Sequence, residues 1–271
     1  MKAARALICL GMFALAGSLC ATRAAAEHPV EPLIRFAEAR LESLDREIQD
    51  YTCTLVKRER IDGRLSPYEN MFLKLRHEQI VDGKVAVPFS VYLQYLAPAE
   101  LKGREVIYVH GHNKGKIIAR RGGKRFAYVT TSVAPDSELA LRGNHYPVTN
   151  IGMKNLIRRL LEVGRDELAY DECKVEYLDG AQLNGRSCLV VQVTHPIKRD
   201  HFRYHMARIF IDKELMLPIR YASYDWPETE GSPPPLIEEY NHVDVKLNVG
   251  LSNRDFDHRN PAYQFRKTFE P

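Results

Sequence analysis

The sequence predicts an α+β protein, in which a curled antiparallel sheet holds two main helices in its concave face. Two segments repeat apolar residues every three or four positions, as one face of an amphipathic helix does. About ten other segments alternate apolar and polar residues and follow one another as the strands of a meander do. Two helices cannot cover both faces of so many strands, so we expect the sheet to curl and leave an apolar concavity.

The N-terminus of this 271-residue chain has the features of a secretory signal peptide. Positive charges precede a mostly apolar run, and an A-x-A pattern ends at Ala26. We therefore expect residues 1–26 to be a signal peptide that directs export to the periplasm and is cleaved after about Ala26. The mature chain, residues 27–271, is predicted to be a single domain without a transmembrane segment. A lipid anchor on Cys20 is the alternative, although Leu19 stands where a lipobox has a small residue.

The charge of the mature chain is nearly balanced. The full sequence has 39 Lys and Arg against 35 Asp and Glu, and residues 1–26 contain Lys2, Arg5 and Arg23 but no acid. The mature chain then has 36 basic and 35 acidic residues, a net charge of +1. Nucleic-acid binding requires a clustered positive excess, so we expect no nucleic-acid partner.

The first predicted helix lies between Pro29 and Asp50. Its apolar stripe consists of Val30, Leu33, Ile34, Ala37, Leu41, Leu44 and Ile48. The apolar period then changes to two, and Asp62-Gly63 marks the turn of a first hairpin. Further strands are predicted in YENMFLKLRHEQI, FSVYLQYL, REVIYVHG, KIIARR and RFAYVTTSV.

A second helix is predicted in NHYPVTNIGMKNLIRRLLE, from an N-cap at Thr149 or Asn150 to about Val163. Strands resume in CKVEYL, SCLVVQVTH, YHMARIFID, PIRYASYDW and IEEYNHVDVKL. The strand LVVQV is apolar on both faces, which is typical of a strand that is covered on both sides. No linker or repeat divides the chain, so one domain is the simplest interpretation.

The cysteines of the mature chain are Cys53, Cys173 and Cys188. If the segment CKVEYLDGAQLNGRSC folds about the point between Gly180 and Ala181, Cys173 lies opposite Cys188. A cross-strand disulfide between them suits an oxidising compartment. Three buried free thiols are the alternative.

Catalytic motifs such as a nucleophile elbow, a phosphate loop or a zinc-protease helix do not occur in this sequence. His110 and His112, and also His201 and His205, have spacings that metal ligands sometimes have, but the sequence indicates no third or fourth ligand. We therefore predict no catalytic residues, no metal site and no cofactor, and expect the protein not to be an enzyme.

The C-terminal stretch carries carboxylates and aromatic residues in alternation. Asp255 and Asp257 are expected to face water and satisfy turns, with Phe256 between them facing the core. The same alternation predicts that Pro261, Tyr263 and Phe265 hold this segment on the sheet.

Several motifs together resemble a known family. YTCTLVKRER, LKGREVIYV, YPVTNIGMKNLI and LNVGLSNRDFDHRNPAYQF resemble the bacterial domain of unknown function 1571. The order of helix, hairpins, IDKELMLPIR and DVKLNVGL also resembles the wider LolA/LolB-like lipoprotein carrier superfamily. The resemblance implies an open, LolA-like half-barrel whose concave face is plugged by helices and receives acyl chains or lipid-modified protein. It implies no catalytic residues.

We therefore predict a periplasmic carrier or sensor that binds a lipid, an acyl chain or a lipoprotein in the concavity. Such a site needs aliphatic and aromatic walls and no reactive group. The candidate wall residues on strands are Phe72, Leu93, Tyr95, Ile107, Val191, Val193, Ile209 and Ile211, and those on a possible lid helix are Leu156 and Leu160. For each of them an ordinary core position is the simpler interpretation. The alternative function is a protein-interaction module that binds an envelope protein without a lipid ligand.

Overall fold

The computed structural model describes residues 27–125 and 127–265, so the predicted signal peptide lies outside the described residues. Its helices are α1 (Glu31–Glu47), α2 (Glu138–Leu141) and α3 (Met153–Glu167). Its first strands are β1 (Asp50–Ile61), β2 (Arg64–Leu65), β3 (Glu69–Arg76), β4 (Gln79–Val81), β5 (Lys84–Val87), β6 (Ser90–Ala97), β7 (Glu105–Val109), β8 (Ile117–Arg120) and β9 (Thr130–Val133). After α3 come β10 (Lys174–Leu183), β11 (Arg186–Thr194), β12 (Met206–Asp212), β13 (Leu217–Tyr224) and β14 (Leu236–Leu247).

The strands form one large antiparallel sheet and a small hairpin. The order in the 12-stranded sheet is β10-β11-β12-β13-β14-β1-β3-β6-β7-β8-β9, with β2 paired to β1, and β4 pairs with β5 separately. The sheet is open, because its path ends at β10 on one side and at β9 on the other. The predicted α+β class with an open antiparallel sheet is confirmed. Strand β1 joins the half of the sheet formed by β10–β14 to the half formed by β3 and β6–β9, because β14 pairs with it.

Helices α1 and α3 contact each other and lie on the same face of the sheet. Val30, Ile34 and Leu44 are buried against side chains of β1, β3 and β6, as the apolar stripe of the first helix predicts. On α3, Met153, Ile157 and Leu161 join the same core.

The start of α3 differs from the prediction of an N-cap at Thr149 or Asn150. Residues Val148–Asn150 form a separate 3-10 turn, and α3 begins at Met153 after Gly152, whose φ is +105°. A side chain at Gly152 would clash, because an added Cβ would lie 2.5 Å from Leu75 Cδ1. The Met153 amide donates a hydrogen bond of 3.1 Å to the Tyr51 hydroxyl, so a residue of the sheet satisfies the helix start.

The opposite face of the sheet is partly covered by the C-terminal segment. Phe256 and Phe265 are buried against Tyr92, Ile107 and Ile118, which confirms the prediction that these aromatic residues anchor the segment. The ring of Tyr263 stacks on that of Tyr92 at a centroid distance of 4.0 Å.

Two details of the C-terminal prediction are wrong. Pro261 is exposed and does not hold the segment on the sheet. Asp255 satisfies the turn as predicted, since it accepts a hydrogen bond of 2.9 Å from the Ser252 amide, but it does not simply face water, because it also accepts one of 2.7 Å from Lys74.

The predicted disulfide is also wrong. Cys188 pairs with Ala181, whereas Cys173 lies beyond the Lys174 and Thr194 pair at the other end of the β10–β11 hairpin. At about 3.3 Å per residue, this separates the two thiols by roughly 20 Å along the strands, and a disulfide needs Cα atoms within about 7 Å. Cys53, Cys173 and Cys188 are free.

The register differs from the prediction because the hairpin turns at a different dipeptide. Asn184 and Gly185 have φ of 50° and 77°, as the two central residues of a type I′ turn require. The Asp179-Gly180 dipeptide lies instead in the register shift between Leu178 and Ala181.

Candidate functional site

A cavity of about 990 Å³ lies between the sheet face that carries α1 and α3, the helices themselves and the segment from Val133 to Gly152. Ligand pockets of proteins measure about 300–1,000 Å³, so this cavity has room for a large ligand. Its apolar lining includes Val30, Leu33, Phe36, Leu55, Met71, Leu93, Tyr95, Val106, Ile117, Val133, Leu156, Leu160, Val193, Ile209 and Ile211. These residues come from both halves of the sheet and from both long helices.

The structure brings most of the predicted wall residues together. The cavity is lined by Leu93, Tyr95, Leu156, Leu160, Val193, Ile209 and Ile211. Val191 lies just behind the lining, where it is buried with Ile209 and Ile211.

Phe72 and Ile107 are the exceptions, because they lie on the opposite face, in the cluster under the C-terminal segment. Their neighbours Met71 and Val106 line the cavity instead. Successive side chains of a strand point to opposite faces, so an error of one residue exchanges the two faces.

Helix α3 presents adjacent leucines to different surroundings. Leu160 is half-buried, lines the cavity and packs against the cluster of Val191, Ile209 and Ile211. Leu161 also borders the cavity, but it is only 8% exposed and packs in the main core between the helices and the sheet. The cavity wall and the structural core therefore meet on this helix.

One end of the cavity is polar, and its charged residues on strands come from β1 and β14. Lys57 and Glu59 on β1 lie opposite Tyr240 and Glu238 on β14. The Lys57 ammonium donates to Glu59 Oε2 at 2.8 Å and lies 3.5 Å from Glu69 Oε2. Burial alone would lower the pKa of Lys57, but Glu59 and Glu69 outweigh it and raise that pKa. Lys57 is therefore held charged in the interior.

His145 and Tyr146, which precede the 3-10 turn, close the polar end. His145 Nδ1 lies 2.8 Å from Glu238 Oε2, and its Nε2 lies 3.1 Å from the backbone carbonyl oxygen of Arg60. The hydrogen bond to Glu238 raises the pKa of His145. The Tyr146 hydroxyl donates to Glu238 Oε1 at 3.2 Å.

The Tyr240 hydroxyl bridges the two carboxylates. It donates to Glu59 Oε1 and lies 3.3 Å from Glu238 Oε2. Burial and the two glutamates raise the pKa of Tyr240, so this hydroxyl stays protonated as a donor. Both carboxylates are therefore fixed from several sides.

Sequence reasoning did not identify this polar cluster. One face of β1 carries Leu55, Lys57 and Glu59. Charged residues at inward positions of an otherwise apolar strand were the sequence signal that could have identified the cluster. Nothing in the sequence indicates that His145, from a segment between strands, reaches the same point.

The histidine pairs that the sequence singles out lie elsewhere. His110 and His112 are exposed near a turn. The ring of His201 stacks on Tyr170 at 3.7 Å, whereas His205 Nδ1 hydrogen-bonds to the carbonyl oxygen of His195. Among the residues that the structure describes, neither pair meets a third side chain with which it could bind a metal ion.

Basic residues outnumber acidic residues around the cavity. The basic lining residues are Lys57, Arg104, Arg120, Arg121, Arg142, Arg158, Arg159 and Arg203, and the acidic ones are Glu59, Glu162, Glu167 and Glu238. Arg104 lies 5.2 Å from the centroid of the Tyr95 ring, and Arg159 lies 5.7 Å from that of Tyr146. An apolar cavity with a cationic excess suits an amphiphile with an acidic headgroup.

Within the described part of the chain, no helix has the length and apolar character needed to cross a membrane.

Comparison with known proteins gives a family but no activity. The family model described as "Protein of unknown function (DUF1571)" matches residues 48–265. No curated protein matches this chain.

Three solved structures are similar at low sequence identity. A DUF1329 family protein from Desulfovibrio piger is 16% identical, with a TM-score of 0.41 over 88% of this chain and 100% of that chain. A domain assigned to outer-membrane lipoprotein sorting, from Vibrio parahaemolyticus, is 12% identical, with a TM-score of 0.39 over 83% of this chain and 95% of that chain. A LolA superfamily protein from Nitrosomonas europaea is 9% identical, with a TM-score of 0.32 over 82% of this chain and 97% of that chain.

Proposed function

This chain belongs to the DUF1571 family, whose description assigns no function, and from its cavity we propose that it is an exported, non-enzymatic carrier or sensor. Its ligand is a lipid, an acyl chain or the acyl chains of a lipoprotein. The observation that carries this proposal is the apolar cavity of about 990 Å³ beneath α1 and α3. In this proposal the open sheet is a half-barrel, and both helices lie in its concave face.

The physical basis is the exclusion of water from an acyl chain. Each buried CH₂ contributes about 0.8 kcal/mol, so about twelve methylenes contribute roughly 10 kcal/mol before the cost of ordering and immobilising the ligand. Aliphatic walls such as Leu93, Ile209 and Ile211 provide this without any reactive group.

The basic excess supports an acidic headgroup on the ligand. Guanidinium groups bind carboxylates and phosphates through charge-assisted hydrogen bonds. We therefore propose that a fatty acid or an anionic phospholipid binds more tightly than a neutral lipid with the same chains.

Helix α3 is the wall that we propose to move for ligand entry. It contributes Leu156 and Leu160 to the cavity, and both are half-buried. Side chains that are only partly enclosed lose less on displacement than fully buried ones.

The direct test is lipid extraction from protein purified from its own periplasm, followed by mass spectrometry. We expect lipid in near-stoichiometric amount, and we expect the delipidated protein to bind a fluorescent fatty acid. A protein that carries no lipid and binds no acyl probe contradicts the proposal.

A second candidate is a protein-interaction module, which the edge of the sheet favours. Strand β10 ends the sheet, and Tyr177 and Leu178 on it are 48% and 45% exposed. An exposed strand edge pairs readily with an extended segment of another protein. A stoichiometric protein in the purification, without lipid, supports this function instead.

Export is tested separately by the intact mass of the mature protein. We expect an unmodified N-terminus at Glu27, and a chain that begins at an acylated Cys20 contradicts this. Such an outcome indicates a membrane-anchored acceptor.

A further inference from the structure

The polar end of the cavity places two buried carboxylates against each other. Glu59 and Glu238 are directly opposite in the β1–β14 pairing, and they are 2% and 6% exposed. In an antiparallel pair, opposite Cβ atoms lie about 4.5–5.5 Å apart, and like charges in this position destabilise the sheet. A positive charge between the two carboxylates removes that repulsion.

The ammonium of Lys57 is shared between two carboxylates. It pairs with Glu59 and Glu69, whereas Glu238 pairs with His145. A further cation between Glu59 and Glu238 relieves the repulsion between their carboxylates.

His145 is oriented as a metal ligand. Its Nε2 lies 3.1 Å from the carbonyl oxygen of Arg60, which is an acceptor, so Nε2 carries the proton and donates. Nδ1 lies 2.8 Å from Glu238 Oε2, and in a neutral ring both atoms present lone pairs to each other, so this approach requires a proton or a metal ion between them. Metal-bound histidines characteristically donate their second ring N–H to a backbone carbonyl or carboxylate in this way.

We propose that Glu59, His145 and Glu238 bind a divalent transition-metal ion, with Zn²⁺ as the probe that fits the donor set. One ligand atom from each residue lies within 4.8 Å of the other two. Tetrahedral zinc with bonds of about 2.1 Å separates its ligands by about 3.4 Å, so small side-chain rotations complete the geometry.

The surrounding hydrogen bonds hold the carboxylate ligands in place. Lys57 donates to Glu59 Oε2, Tyr146 donates to Glu238 Oε1, and the Tyr240 hydroxyl bridges both glutamates. Partners of this kind orient metal ligands and tune their basicity.

Three protein ligands leave a further coordination position, which faces the cavity because all three residues line it. Zinc sites with three protein ligands keep such a position for water or a ligand oxygen. The metal site stands independently of the acyl carrier function, since the metal binds whether or not a lipid occupies the cavity.

The competing explanation is a proton. A protonated His145 also places a positive charge next to Glu238, in which case the cluster needs no metal. The two explanations differ in one measurable property, which is the stoichiometric binding of Zn²⁺.

The experiment uses the mature chain after removal of metals with EDTA and dialysis. Isothermal titration with Zn²⁺, and separately with Mn²⁺, measures stoichiometry and affinity, and the visible absorption of bound Co²⁺ reports the coordination number. The variants are His145→Gln and Glu238→Gln, and His112→Gln on an exposed turn is the matched control. Circular dichroism checks the fold of each protein.

We expect one Zn²⁺ per chain, about a hundredfold or greater loss of affinity in both cluster variants, and unchanged binding in the control. If Glu238→Gln does not fold, His145→Gln decides the question, because His145 lies outside the sheet. The proposal is overturned if the wild type binds neither Zn²⁺ nor Mn²⁺ stoichiometrically, or if His145→Gln binds as the wild type does. Binding of the fluorescent fatty acid is measured with and without EDTA. This measurement distinguishes a failure of metal binding from a failure of the proposed carrier function.

Discussion

Glu59 of β1 and Glu238 of β14 lie directly opposite each other in the sheet, and both side chains are buried. Lys57, two residues from Glu59 on the same face, donates a hydrogen bond to Glu59 and one to Asn144. This ammonium is therefore the fixed positive charge that supports the polar end of the cavity.

Lys57→Met should strongly destabilise the protein. It leaves the carboxylate of Glu59 buried without its cationic partner, and breaking a buried ion pair from one side costs about 3–5 kcal/mol. Urea unfolding in the presence of EDTA measures this loss. The control is Lys213→Met, which removes a cation from an ion pair with Asp179 whose side chains are 42% and 73% exposed, and we expect little change. Equal stabilities of the two variants contradict the assigned role of Lys57.

Leu160→Glu and Leu161→Glu should have different effects although the residues are adjacent. At Leu160 the carboxylate enters a cavity with a basic excess, so we expect a folded protein whose affinity for a fluorescent fatty acid falls at least about tenfold. Leu161 also borders the cavity, but it is 8% exposed and packs in the main core, so there we expect the domain to unfold, because an unpaired buried charge exceeds its net stability.

Thermal unfolding and probe titration of both variants test this pair. Unfolding of both proteins contradicts a cavity at Leu160. A folded Leu160→Glu that binds the probe as the wild type does contradicts the acyl site.

The cysteines should all be free thiols in the purified protein. Without reductant but in denaturant, we expect Cys53, Cys173 and Cys188 to react with a thiol reagent. In the native state reaction at Cys173 should be slow near neutral pH, because burial raises the pKa of its thiol to about 11. Peptide mapping identifies the modified residues, and a linked Cys173–Cys188 peptide contradicts the observed register.

Acid should destabilise the protein partly through His77. This side chain is 5% exposed, and burial, assisted by Lys154, lowers its pKa from 6.5 to about 4. The unfolded state then binds the proton more readily, so the contribution of His77 to stability is complete above about pH 6.5 and is lost as the pH falls towards 4.

The full contribution of His77 is about 3 kcal/mol, at 1.36 kcal/mol per pKa unit. His77→Leu should therefore reduce the difference in unfolding free energy between pH 7 and pH 4.5 by about 2–3 kcal/mol in urea titrations. Some pH dependence should remain, because burial also lowers the pKa of His242 to about 4. An unchanged pH difference in the variant argues against this role of His77.

Local patterns were sufficient to predict several elements. The apolar stripe of α1, the Asp62-Gly63 turn and the anchoring of Phe256 and Phe265 depend on neighbours within a few residues, and each has the predicted role. The position of the turn in the β10–β11 hairpin could not be predicted, because Asp179-Gly180 and Asn184-Gly185 are both suited to a hairpin turn. Pairing with β11 selects the second one, and the positions of Cys173 and Cys188 follow from that choice.

The sequence by itself determined that this chain forms a mostly antiparallel sheet with few helices, because residue periodicity is a local property. It also determined which residues of a strand share a face, but not which face meets the helices, so Leu93 was placed in the cavity correctly and Phe72 was not. Only the tertiary structure decided that β14 returns to pair with β1 and that His145 reaches them. The residues of the polar cluster are far apart in the chain. Its stability depends on contacts between them, which no local sequence pattern indicates.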